Sequence, residues 1–142
     1  MDIDWNLLES CGGSANAGDI PESIERLFSP DAKLREKGYW GIDNHAVVQS
    51  DLYSSAPYAA RVIVDRFLQD KTVTYELVNI LFELFGGSGP EILKVGPLQG
   101  ETIESLCRKI IREVELELTQ QLDRLESDLA IEVESLIELF GE

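Results

Sequence analysis

One histidine, two cysteines and no run of eighteen apolar residues limit what this 142-residue chain can do. A zinc site needs several Cys and His residues at ligand spacing, and Cys11 and Cys107 stand alone without a motif. A Ser-His-Asp or Cys-His arrangement would have to use His45. Its surroundings, IDNHAVV, hold no nucleophile motif, so it reads as a loop histidine making ordinary hydrogen bonds. The carboxylate pairs Glu113 with Glu117 and Glu134 with Glu138 lack the Glu-x-x-His partners of a di-iron bundle and read as a solvated helix face. The stretches CGGSANAG and GGSGP lack the Lys-Ser/Thr of a phosphate-binding loop and read as turns. An enzyme, a metal and a cofactor are therefore not expected. The missing apolar run excludes a predicted transmembrane helix. The N-terminal MDIDWNLLESC has two early acids where a signal peptide has positive charge, so a cytoplasmic location with reduced thiols is expected. Cys107 falls on an apolar helical stripe and reads as a small buried hydrophobe.

Basic residues are also scarce. Twelve Lys and Arg face 27 Asp and Glu, a net charge of −15 with a pI near 4.3. Phosphate binding needs clustered cations, so nucleic acid and anionic membranes are not the expected partners. Solubility alone is the plain explanation for such acidity; a basic protein partner is the functional one. The charge is concentrated: Glu113 to Glu142 carry ten acids and one base, Arg124. That stretch has no Pro and keeps a helical apolar rhythm, so it reads as an ordered acidic face rather than a disordered tail.

Strand signals are absent as well. VQSDLY is too short and polar to be read as a strand, and the chain is expected to be one all-α domain over residues 1 to 142. A short first helix is expected over Asp4 to Ser10. The next is capped by Asp19, carries Pro21 in its first turn and stops at Ser29-Pro30. A third, Asp31 to about Ile42, sets Leu34, Gly38, Gly41 and Ile42 on one face. Two interior glycines cost about 1 kcal/mol each relative to Ala, so a neighbouring backbone is expected to approach there. After a loop to Ser55, a fourth helix to Gln69 buries Ala56, Ala59, Ala60, Ile63, Val64 and Phe67. A fifth, Val73 to Phe85, is apolar almost all round and should be central. From Ile103 to Phe140 apolar residues recur every 3.7 positions or about that, the period of a straight helix. Forty helical residues would span about 60 Å. A compact chain of this size has a radius of gyration of roughly 14 Å. A break is therefore expected between Thr119 and Asp128, with Ser127 or Asp128 capping a last helix.

Over residues 21 to about 120, the stretches SPDAKLREKGYWGI, VVQSDLYSSAPYAARVIVDRFLQD and TYELVNILFELFGG resemble the alternating first and second helices of HEAT-like repeats. The resemblance implies a short right-handed α-solenoid of helical hairpins with a long acidic C-terminal helix or helix pair. Small acidic chains of this appearance resemble bacterial immunity proteins of polymorphic toxin and contact-dependent growth inhibition systems. That likeness implies 1:1 binding to a basic toxin domain, a nuclease in many such systems. The alternative is a non-catalytic scaffold or adaptor on the same solenoid.

Under the HEAT-like layout the second helices, beginning at Pro21, Ser55 and Glu101, line the concave side. Glu22, Glu25, Tyr58, Arg61, Asp65, Glu101 and Glu104 are expected to be exposed there, with Asp43, His45, Asp51 and Tyr53 at one rim. The candidate partner-binding residues are Asp43, Asp51, Tyr53, Tyr58, Asp65 and Glu104, because aromatic and desolvated charged groups carry binding energy. For Tyr53 and Tyr58 the competing reading is packing at a helix entry. The acidic C-terminal face is the competing contact region.

Overall fold

A computed structural model describes residues 2–10 and 18–141. Helices dominate: α1 (Ile20–Leu27), α2 (Ala32–Asp43), α3 (Ser55–Asp70), α4 (Tyr75–Gly86), α5 (Ile103–Ile111), α6 (Glu115–Gln121) and α7 (Ser127–Phe140). Their starts follow from capping chemistry. The side chains of Asp31, Thr74 and Thr102 accept hydrogen bonds from the N–H groups of Lys33, Leu77 and Ser105. Asp19, expected to cap α1, makes no such bond, because its own backbone is already helical. The expected first helix reduces to a single 3-10 turn, Trp5–Leu7. Cys11 lies outside the described residues.

α1 and α2 form the most extensive helix pair, and glycine is the reason. A Cβ on Gly38 would lie 2.5 Å from both Leu27 N and Ser23 O, and one on Gly41 would strike the Ser23 side chain. The expected close approach is present. Leu34 was expected on the same face, but it is exposed; α2 buries only Gly38 and Ile42.

Helices α1, α3 and α5 pack in succession as one row, and α2, α4 and α7 as a second. α4 touches α2, α3, α5 and α7, as its all-round apolar sequence requires. The core between the rows includes Ile63, Val64 and Phe67 of α3, Leu77, Ile80, Leu81 and Leu84 of α4, and Cys107 of α5. Burial pushes the Cys107 thiol pKa up. No described helix is long and apolar enough to cross a membrane.

The C-terminal stretch breaks at Leu125 and Glu126, whose extended backbone ends the 3-10 turn Leu122–Arg124. The break falls in the expected interval, but the cap is Glu126, which accepts from Asp128 N–H, and not Ser127 or Asp128. α7 docks through Leu129, Val133, Leu136 and Phe140. Phe140 meets Phe85 at 5.2 Å between ring centroids, and Arg112 lies over Phe85 while donating to the Phe140 carbonyl.

The one β element among the described residues falls where no strand was expected. β1 (Val47–Val48) pairs antiparallel with β2 (Asp51–Leu52) around a two-residue turn, Gln49-Ser50, at φ 50° and 70°. Both residues occupy the left-handed region that such a tight hairpin requires, although neither is a favoured residue there. The tertiary contact holds it. Leu52 N–H donates to the Ser88 carbonyl at 2.8 Å and Ser88 N–H to the Ser50 carbonyl at 2.6 Å, extending β2 by a parallel bridge.

Candidate functional site: an acidic groove beside the hairpin

A groove of about 630 Å³ opens where β2 and the chain leaving Ser88 part company. One wall is Asp51 to Ser54, the other Pro90 to Val95, and Leu7 and Glu9 close one end. Leu52, Leu93 and Ile103 line it as buried side chains, while Leu7 and Ile92 stay 62% and 49% exposed. Three carboxylates, Glu9, Asp51 and Glu91, belong to the lining against one cation, Lys94. An apolar floor under an acidic rim suits a segment that is both apolar and basic.

The walls are held by specific bonds. Glu9 N–H donates to Ser54 Oγ at 2.6 Å and Ser55 N–H to the Glu9 carbonyl at 3.1 Å, which seats the N-terminal segment on the start of α3. Gly89 N–H donates to Glu104 Oε2 at 3.1 Å and Glu104 N–H returns a bond to the Gly89 carbonyl at 2.9 Å. Glu104 therefore anchors the second wall from α5. Tyr58 holds the end of that wall: its hydroxyl donates to the Val95 carbonyl at 2.6 Å and accepts from Leu98 N–H at 3.0 Å. The loop can pass over the phenol because Gly96 sits at φ 81° with no Cβ to meet it.

Of the six residues expected to contact a partner, Asp51 and Tyr53 line this groove and Glu104 braces it. Tyr58 is a correction: it was expected to be exposed on α3, and it is 0% exposed. Its ring packs under the loop, so burial raises its pKa while the bond from Leu98 N–H opposes that rise. The packing reading of Tyr58 is the right one.

Asp43 and Asp65 lie in other clusters. Asp43 ends α2, where burial raises its pKa; Glu83 of α4 is raised by burial and then by Asp43. Tyr39 completes that group, its phenol pushed up to about 12 by burial, then Asp43, then Glu83. Asp65 shares Arg61 with Glu113. The Arg61 guanidinium reaches Asp65 Oδ1 at 2.6 Å and both Glu113 oxygens at 2.7 and 2.8 Å, which lowers the Glu113 pKa. Elsewhere along the expected concave side, Glu22 pairs with Arg26, Glu25 with Arg66 and Glu101 with Lys109. His45 Nδ1 lies 2.7 Å from the Gly41 carbonyl; since a carbonyl only accepts, this nitrogen carries the hydrogen.

Glu9, Glu91, Ile92 and Lys94 were not singled out from the sequence. The available signal was PEILK directly after GGSG, an apolar pair between charges in a segment otherwise read as a turn.

Electrostatically, the cations are largely engaged within the fold. Arg26, Arg35, Arg61, Arg66, Lys71 and Lys109 pair with carboxylates, while Arg108, Arg112 and Arg124 donate to main-chain carbonyls. On α7, Asp128, Glu132, Glu134 and Glu138 are exposed, with no ion pair among the described residues. Comparison with protein-family models, curated proteins and solved structures finds no match to the chain.

Proposed function

We propose that this chain is a non-catalytic inhibitor: an immunity protein that binds a basic toxin domain 1:1 and neutralises it. The observation that carries the reading is the acidic rim of the groove, where Glu9, Asp51 and Glu91 face a single Lys94 above an apolar floor. The two rows of helices support a short HEAT-like solenoid as the frame, and the exposed carboxylates of α7 add a second acidic surface. The net charge of −15 would raise the rate of encounter with a cationic partner and make that rate fall with salt.

The test is capture. The purified chain is used as bait in lysate of its own source at low and high salt, beside a variant carrying Asp51→Lys and Glu91→Lys. The expected result is one basic protein held stoichiometrically at low salt, its nuclease activity silenced, and lost by the charge-reversed variant. Several weakly held partners without inhibition would move the reading to an adaptor. A captured set indifferent to both salt and charge reversal would remove the groove from the account.

A further inference from the structure

The wall formed by Glu91 to Val95 carries an isolated β-bridge at Ile92, and the outer side of that bridge is unpaired among the described residues. On its inner side Leu93 N–H donates to the Glu101 carbonyl at 2.8 Å and Ile103 N–H to the Glu91 carbonyl at 2.9 Å, pairing Ile92 with Thr102 in antiparallel register. In this kind of pair, the N–H and C=O of the residue between the two bonds point away from the partner strand. Those of Ile92 therefore leave Thr102 behind and face the opposite edge. They have no hydrogen-bond partner among the described residues, and neither do those of Lys94, two positions on. Both residues line the groove. Across it run Leu52 to Ser54, joined to the second wall by the parallel bridge at Ser88 and separate from it thereafter.

An unpaired edge with alternate free N–H and C=O groups is a template for an added strand. Glu104, through Gly89, and Tyr58, through Val95 and Leu98, brace the chain on either side of this edge. The segment Ile92 to Lys94, between bends at Glu91 and Val95, offers roughly 10 Å of edge at about 3.3 Å per residue.

Building on the groove reading above, we propose that the groove takes an extended segment of the basic partner as an added strand on the Ile92–Lys94 edge. Side chains of a strand alternate between faces. One apolar side chain of the segment enters between Leu52, Leu93 and Ile103, and flanking Lys or Arg side chains reach Glu9, Asp51 and Glu91. The main chain supplies affinity, and the alternation of apolar and basic residues supplies the selection.

The probe is an acetylated, amidated heptapeptide of alternating lysine and valine, with the same peptide N-methylated at every residue as its counterpart. Amide exchange of the unaltered protein is followed by NMR as each is added. The unmethylated peptide is expected to slow exchange at Ile92 and Lys94 at least tenfold, and methylation to weaken binding about tenfold or more. Ile92→Pro, which removes the edge donor and keeps every carboxylate, is expected to weaken binding likewise. Asp51→Lys with Glu91→Lys is expected to abolish it. Equal binding of the methylated peptide, or binding without slowed exchange at Ile92, overturns the added strand. If charge reversal still abolishes binding in that case, the acidic groove itself stands. Binding indifferent to charge reversal, or none at millimolar peptide, overturns both. The exchange and methylation arms need no variant, so a misfolded Ile92→Pro chain leaves the test intact.

Discussion

Tyr58→Phe is a sharp test of how the groove is built. The substitution deletes one oxygen and keeps a ring that is fully buried. Two hydrogen bonds go with it, the 2.6 Å bond to the Val95 carbonyl and the 3.0 Å bond from Leu98 N–H. A net bond contributes about 0.5–1.5 kcal/mol, so the loss should be about 1–3 kcal/mol. At about 4 °C per kcal/mol for a chain of this size, Tm should fall by roughly 4–12 °C. The effect has a local signature too: Leu98 loses protection in amide exchange. It also has a pH signature. Burial raises the Tyr58 phenol pKa, so the folded state holds the neutral form more firmly than the unfolded chain. That contribution is fully present below the ordinary phenol value near 10 and is lost as pH climbs through the higher folded value. Tyr39 and Tyr75, both pushed up to about 12, share the window, so the variant should show a shallower alkaline decline than the parent, not a flat one. A variant that melts with the parent and exchanges Leu98 at the parent rate would refute the claim that this hydroxyl ties the loop.

Two further perturbations probe other joints. Gly38→Ala puts a methyl 2.5 Å from Leu27 N and Ser23 O, so α1 must move. The cost, about 1–3 kcal/mol by urea denaturation, should exceed the gain of about 1 kcal/mol in helix propensity, and equal or greater stability would show that the helices do not touch there. Asp43→Asn should stabilise the protein at pH 7. The raised pKa of Asp43 means that its ionised form is disfavoured in the folded state, and Glu83 shares the strain. At a pH low enough to protonate both carboxyls in the folded and unfolded states, the advantage should vanish; a Tm difference that persists there would point to packing, not charge.

Much of the helical layout was legible because local chemistry and periodicity agree. The third helix begins within one residue of its expected start at Asp31, the apolar stripe of α3 is buried position by position, and the all-round apolar α4 lies between neighbours. The hairpin was not legible, because Gln49 and Ser50 take a left-handed turn that their own preferences do not favour; bonds to Ser88, far along the chain, hold it. Tyr58 shows the same limit at the level of one side chain. An aromatic residue at a helix entry is equally consistent with contact and with packing, and Gly96, passing over its ring, decides for packing.

By itself, then, the sequence determined the all-α class, the acidity, the close approach at Gly38 and Gly41 and the interval of the C-terminal break. Each rests on interactions within a helix turn, on charge summed over the chain, or on the bare absence of a side chain. Only the tertiary structure decided the groove. Leu7, Asp51 and Ile92 are far apart in sequence, and whether the edge of Ile92 stays open depends on which strand Thr102 and Ser88 leave unpaired. Hydrogen bonding between distant segments leaves no periodic mark in either one.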